Sequence, residues 1–191
     1  MPADKLILAS GSPRRRQLLE QAGYSFRIVV TDVDETNPPG MPGADVPAFL
    51  AKKKADAIAH AHPEAVIIAA DTVVLLGDDI LGKPKDAADA AAMLQRLSGR
   101  MHRVVTGVCI QQGAEQEHFS VTTEVYFREL TRAGIDYYIT HFRPFDKAGS
   151  YAIQEWIGLT GIERINGDYY NVMGLPIGQV TQRLSTIITS S

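Results

Sequence analysis

The stretch Leu6-Ile7-Leu8-Ala9-Ser10-Gly11-Ser12-Pro13-Arg14-Arg15-Arg16-Gln17-Leu18-Leu19-Glu20 decides the fold. Its apolar opening reads as a strand, Ser10 to Ser12 as a tight turn, and the remainder as a helix. Ser12 is a good N-cap, and Pro13 suits the first helical position, where its missing N–H costs nothing. Leu18, Leu19 and Ala22 give the helix an apolar stripe, and Gly23 stops it. The arginines run against the helix dipole, whose N-terminal end is partially positive and favours acids. Free backbone N–H groups, two hydroxyls and a guanidinium cluster together make an anion cradle. The competing account is a solvated basic turn with local salt bridges, but propensity alone does not place the charges there.

Outward from this stretch, Phe26 to Val30 reads as a second strand running into Asp32-Val33-Asp34-Glu35. A Pro/Gly-rich loop from Asn37 to Gly43 follows, a candidate lid or hinge. The spacing predicts a helix over about Val46 to His60, with Phe49, Leu50 and Ile58 inward and Lys52, Lys53 and Lys54 on its flank. Ala65 to Ala70 is apolar throughout, as in a strand covered on both faces. It reaches Asp71-Thr72 and continues as Val73 to Leu76. After Ile80-Leu81-Gly82-Lys83-Pro84, Asp86 starts an alanine-rich helix that ends near Gly99. Two long strands, about Arg103 to Gln111 and His118 to Phe127, form an antiparallel pair. A helix covers Thr131 to about His141, and Glu163 to Val172 has a hairpin signature with Asn166-Gly167 at its tip. A last helix runs from about Pro176 to Ile187. The expected fold is α/β, a long mixed, twisted sheet flanked by helices, with two lobes of one domain (1–191) around a central cleft.

Size and composition narrow the chemistry. The 191 residues suffice for one domain with a substantial core, and the net charge of −3 gives no nucleic-acid footprint. The single cysteine, Cys109, excludes an intramolecular disulfide and reads as core. No signal-peptide segment or membrane span is visible, so a cytoplasmic protein is expected. There is no Walker A pattern, GxGxxG or G-x-S-x-G, and the five histidines lack metal-protease spacing.

Asp71 is the sharpest single residue. An ionised carboxylate at the end of a buried apolar strand is costly without a partner or metal, and strand ends in α/β sheets are where ligands bind. An Asp that merely caps a turn is the alternative. Asp34 and Glu35, with Asp71, could hold a magnesium ion, which takes one or two carboxylates plus phosphate oxygens. Lys54 lies on a helix flank, where lysines are ordinarily solvated; Lys83 is held between Gly82 and Pro84. Ser10 and Ser12 have no base partner and read as phosphate hydrogen-bond donors. Cations and a few acids in one cleft point to a polyphosphate plus metal.

Taken in order, Leu8-Ala9-Ser10-Gly11-Ser12-Pro13-Arg14-Arg15, Asp34-Glu35, Lys54-Ala55, Ala70-Asp71-Thr72, Gly82-Lys83-Pro84, Asp146-Lys147-Ala148-Gly149 with Tyr151 and Ile153-Gln154, and Gly174-Leu175-Pro176 resemble the Maf family of nucleoside triphosphate pyrophosphatases, also called septum formation inhibitors. The resemblance spans nearly the whole chain. It implies the fold of inosine triphosphate pyrophosphatases, hydrolysis of a nucleoside triphosphate to monophosphate and pyrophosphate, a divalent cation (magnesium or manganese) and a homodimer. It places Asp71 as proton acceptor and Ser10, Arg15, Glu35, Lys54 and Lys83 as polar positions lining the cleft; by their own chemistry Ser10, Arg15, Lys54 and Lys83 are expected on the phosphates. Glu35 and Asp71 stand at the metal. Arg14, Thr72 and Gln154 fall on positions that separate substrate branches. Here they match the dTTP/UTP branch; the 7-methyl-GTP branch has an aromatic, Gln and Glu. Gln154 and Thr72 would read the base edge, since an amide offers donor and acceptor together. The chain departs from many relatives over Glu155 to Ile162, where Trp156 would pack at the cleft rim, at a dimer contact or in the core. Two other functions fit the same resemblance: a nucleotide-binding regulator of cell division acting through a protein partner, and housecleaning of modified pyrimidine triphosphates.

Overall fold

The computed structural model describes residues 5–189. Strand β1 (Leu6–Leu8) leads through the Ser10–Ser12 turn into helix α1 (Pro13–Gln21), and a short β2 (Arg27–Ile28) follows. After the Pro/Gly loop come α2 (Val46–Ala59), the long β3 (Val66–Leu76), β4 (Asp79–Leu81) and α3 (Ala87–Leu97). The second half comprises β5 (Met101–Gln112), β6 (Glu115–Phe127), α4 (Arg132–Phe142), α5 (Trp156–Gly161), β7 (Ile162–Asn166), α6 (Tyr169–Met173) and α7 (Ile177–Thr189). The strands form one sheet in the order β2-β1-β3-β5-β6-β7, with β4 also on β3. β1 is parallel to both its neighbours, and all other pairs are antiparallel. This is the mixed α/β sheet expected.

Side-chain alternation sets the two layers, because successive strand residues point to opposite faces. Ile7, Ala9, Ile67, Ala69 and Cys109 face α2, whose Ala51 and Ala55 are fully buried against them. Leu6, Leu8, Ile68, Ala70 and Val74 face the other way, onto Leu18 of α1, Leu94 of α3, Tyr138 of α4 and Leu184 of α7. With both faces covered, β3 is buried along almost its whole length. Gly107 permits the closest helix–sheet approach: a Cβ there would lie 2.1 Å from the Ala48 backbone nitrogen. Among the described residues no helix is long and apolar enough to cross a membrane.

Two expected elements differ. The strand at Phe26–Val30 shrinks to Arg27–Ile28, since β2 is an edge held only by β1; Val29 N–H still donates to the Leu8 carbonyl at 3.1 Å. Asn166-Gly167 is not a hairpin tip. β7 ends at Asn166, and Asp168 caps α6 by accepting from Tyr170 N–H at 2.7 Å. The side chain of Asn171, fully buried, ties α6 to β5 and β6 through the Val104 carbonyl at 3.1 Å and Thr123 Oγ1 at 2.9 Å. Both Nδ2 protons of that buried amide are placed there, while its Oδ1 has no hydrogen-bond partner; the two placed donors hold α6 where a second hairpin strand was expected.

Candidate functional site

β3 is longer than its neighbours on one side. Its residues 66–68 pair with β1 and its residues 74–76 with β4, which leaves Ala69–Val73 without a strand partner on that side. A cleft of about 620 Å³ lies at this gap, bounded by the Ser10–Arg15 turn, Glu35, Lys54 and the 146–154 loop. Asp71 and Thr72 stand in the middle of the gap and, by alternation, on opposite faces of the sheet.

On the α2 face, Lys54 Nζ lies 2.6 Å from Asp71 Oδ1 and 2.8 Å from Glu35 Oε1. Lys54 is therefore not a solvated flank lysine, as its spacing suggested; its side chain is 11% exposed. The ammonium holds the Glu35 carboxyl below the ordinary glutamate range. Asp34 does not join this group. Its Oδ1 accepts from Thr36 N–H at 2.9 Å and Thr36 Oγ1 at 2.6 Å, and Lys53 donates to its carbonyl. Those Thr36 bonds keep the Asp34 carboxyl below its usual value.

On the opposite face, the arginines turn out to have three different fates. Arg16 pairs with Glu20 one helical turn on, at 2.7 Å. Arg14 reaches Asp146 at 3.2 Å. Arg15 is drawn inward: Nε donates to the Gly174 carbonyl at 2.8 Å, Nη1 to Ser10 Oγ at 3.0 Å and the Ala70 carbonyl at 2.8 Å, and Nη2 to Thr72 Oγ1 at 3.1 Å. Four of about five guanidinium N–H groups are thus committed to the protein. Arg15 ties the first turn of α1 to β3 and the end of α6, and offers the cleft chiefly its charge. Burial lowers its pKa, and the Asp71 carboxylate opposes that shift. Ser10 Oγ accepts from both Arg15 Nη1 and Ser12 N–H, so its own proton is free to be donated. Ser12 Oγ caps the helix by accepting from Arg15 N–H at 3.5 Å, which leaves its proton to donate as well.

Lys83 is exposed on the cleft rim, just beyond β4. The neighbouring Gly82 carbonyl accepts from Gly149 N–H at 3.0 Å, which brings the 146–154 loop beside it. Gly149 has φ 67° and lies so close to Val74 that a Cβ would meet the valine methyls at 3.0 Å. Gln154 is exposed on the same loop and lines the cleft. Trp156 is absent from the lining; it tilts against Tyr137 of α4 at 4.9 Å and packs on the edge of the core.

Sequence reading missed the supports behind these residues. Lys147, buried, lies 2.7 Å from Asp146 and 3.5 Å from Glu155. Tyr138 donates to Glu155 and accepts from Ala152 N–H at 3.1 Å, which brackets the segment carrying Gln154. Burial together with the Glu155 carboxylate pushes the Tyr138 hydroxyl far above its usual pKa, so it stays a donor. Behind Thr72 stands Thr106, at 2.9 Å. A threonine within the apolar run Val104-Val105-Thr106-Gly107-Val108 was the signal available for it.

No group of three or more His, Cys, Asp and Glu capable of holding a metal occurs among the described residues. What the cleft has is two carboxylates converging on one ammonium. That donor set fits magnesium or manganese, which complete their shell with phosphate oxygens and water, and does not fit a closed zinc site.

A cleft of about 620 Å³ at a break in a mixed sheet, with acids and cations on its walls, is the centre of this α/β protein's candidate site. The chain belongs to the family described as Maf-like protein, whose model matches residues 5–187. It is similar to proteins named dTTP/UTP pyrophosphatase: 49% identical to that of Cytophaga hutchinsonii over 94% of this chain and 82% of the relative. Against that of Phocaeicola vulgatus the identity is 47%, over 95% and 93%. Against that of Bacillus cytotoxicus it is 49%, over 94% of each. Among solved structures, the Staphylococcus aureus Ham1 protein aligns with a TM-score of 0.47 and 17% identity, over 64% of this chain and 71% of that one.

Proposed function

We propose that this protein hydrolyses dTTP and UTP to the monophosphate and pyrophosphate, with Asp71 as proton acceptor. The observation that carries the reading is Asp71 itself, a carboxylate beside the break in pairing of a strand that is apolar apart from it and Thr72, facing a cleft ringed by Ser10, Arg15, Lys54 and Lys83. Family membership and the names of the relatives support the substrate class. In this scheme water attacks the α-phosphorus, a new P–O bond forms, and the bond to the β-phosphate oxygen breaks. The water proton passes to Asp71, and pyrophosphate departs as one unit. Ser10 donates to a phosphate oxygen, Lys54 and Lys83 neutralise the triphosphate, and Arg15 adds fixed positive charge from beneath. Arg14, Thr72 and Gln154 select the base. Glu35 and Asp71 would hold a divalent cation, which when bound polarises the phosphate and acidifies water. A homodimer is part of the same proposal, carried by the family resemblance.

The test is pyrophosphate release by the purified protein from a panel of dTTP, UTP, CTP, dATP, GTP and 7-methyl-GTP. Preferential turnover of dTTP and UTP is expected. Binding without turnover of any nucleotide would overturn the hydrolase reading in favour of a nucleotide-sensing one.

A further inference from the structure

The hydroxyl of Thr72, on the cleft lining, has polar neighbours on three elements: Arg15 of α1, Thr106 of β5 and, at 3.5 Å, the Gly174 carbonyl at the end of α6. Arg15 Nη2 donates to it at 3.1 Å, which occupies one lone pair. Thr106 Oγ1 lies 2.9 Å away, and the Thr106 hydroxyl also sits 3.0 Å from the Asn171 carbonyl. That carbonyl has no proton to give, so Thr106 donates to it. Thr106 must then accept from Thr72, and the Thr72 proton is consumed inside the protein. The opposite wiring would have Thr106 donate to Thr72 and Thr72 donate to the Gly174 carbonyl at 3.5 Å, an oxygen already taking Arg15 Nε. It would exchange a 3.0 Å bond for a marginal one and leave the Asn171 carbonyl with the Gly174 N–H alone, at 3.0 Å. Asn171 is fixed by its own side-chain bonds to Val104 and Thr123, and Thr106 is fully buried, so water cannot rescue the alternative.

We infer that Thr106 is a positioning residue that fixes the Thr72 hydroxyl as an acceptor toward the cleft, so that the site takes a pyrimidine whose N3 bears a proton and refuses one whose N3 is a bare lone pair. The inference rests on the hydrolase reading above and extends it from substrate class to the atom read. Uracil and thymine present N3–H; cytosine presents an unprotonated N3, which would meet the Thr72 lone pair head on. An unmatched polar contact of this kind discriminates strongly in a desolvated site.

The experiment compares kcat and KM for UTP and CTP in the unmodified protein, Thr106→Val and Thr106→Ser. Valine keeps the shape but cannot take the Thr72 proton; serine can. In Thr106→Val the UTP-over-CTP ratio of kcat/KM should fall about tenfold, through a higher KM for UTP with kcat nearly kept, and Thr106→Ser should restore it. A ratio that stays within about twofold in Thr106→Val, with both nucleotides slowed alike, would show a packing role and overturn the inference. UTP methylated at N3 tests the same point in the unmodified protein, whether or not the valine variant folds: a large loss is expected, and turnover equal to UTP overturns it. If the unmodified protein does not turn over UTP at all, the hydrolase reading itself fails, a different outcome from an unchanged ratio.

Discussion

Asp71 and Thr72 are consecutive residues of β3 that meet different helices on opposite sides of one sheet: Asp71 lies 2.6 Å from Lys54 of α2, and Thr72 3.1 Å from Arg15 of α1. The break in strand pairing beside them makes both reachable from a single cleft. On our proposal the acid–base chemistry is served from the α2 side and selection from the side of α1 and α6.

Replacing Asp71 with asparagine keeps the shape and removes the proton acceptor. Pyrophosphate release from dTTP and UTP should fall at least about a hundredfold, while nucleotide binding measured by calorimetry persists. Near-normal turnover would remove Asp71 from its role.

Chelation of divalent cations should stop turnover, and Glu35→Gln should raise the manganese concentration needed for half-maximal rate by roughly tenfold. Activity that persists in excess chelator would exclude the two-carboxylate site as a metal site.

Gly107→Ala should cost about 1–3 kcal/mol in a urea titration, because the new methyl would lie 2.1 Å from the α2 backbone and the helix must shift off the sheet to admit it. Since α2 carries Lys54, surviving protein should also bind nucleotide more weakly.

His102 gives a pH prediction. It is 1% exposed, meets Tyr151 Oη at 2.7 Å and lies edge-on to the rings of Phe127 and Tyr151; burial lowers its pKa to about 4. Between that value and the ordinary 6.5 the unfolded chain binds a proton that the native state does not, so stability is full above pH 6.5 and is lost as pH falls toward 4. The loss should reach roughly 3 kcal/mol. Urea midpoints at pH 7 and pH 5 should differ, and the difference should shrink in His102→Gln.

Tyr138→Phe should cost about 1–3 kcal/mol, because it strands the Ala152 N–H and one oxygen of Glu155. If this pair holds Gln154 in place, KM for UTP should rise with kcat little changed; an unaltered KM would assign the pair to stability alone.

The local pattern of the chain determined much of this protein. Ser12 and Pro13 start α1, Asp86 starts α3, and the unbroken apolar run at Ala65–Ala70 marks a strand buried on both faces. These are near-neighbour preferences and side-chain periods, which a sequence carries on its face. Asp71 was legible for the same reason, as a charge in an apolar run. Tertiary structure alone decided which arginine goes inward, that Lys54 joins Glu35 and Asp71, and that Asn166-Gly167 leads into a helix and not a second strand. Each of these depends on partners from 17 to 159 residues away or on a buried polar group finding its hydrogen bonds, as with Arg15 at Gly174 and Lys54 at Asp71. Burial supplies the energy for such choices, and burial is settled only when the layers close.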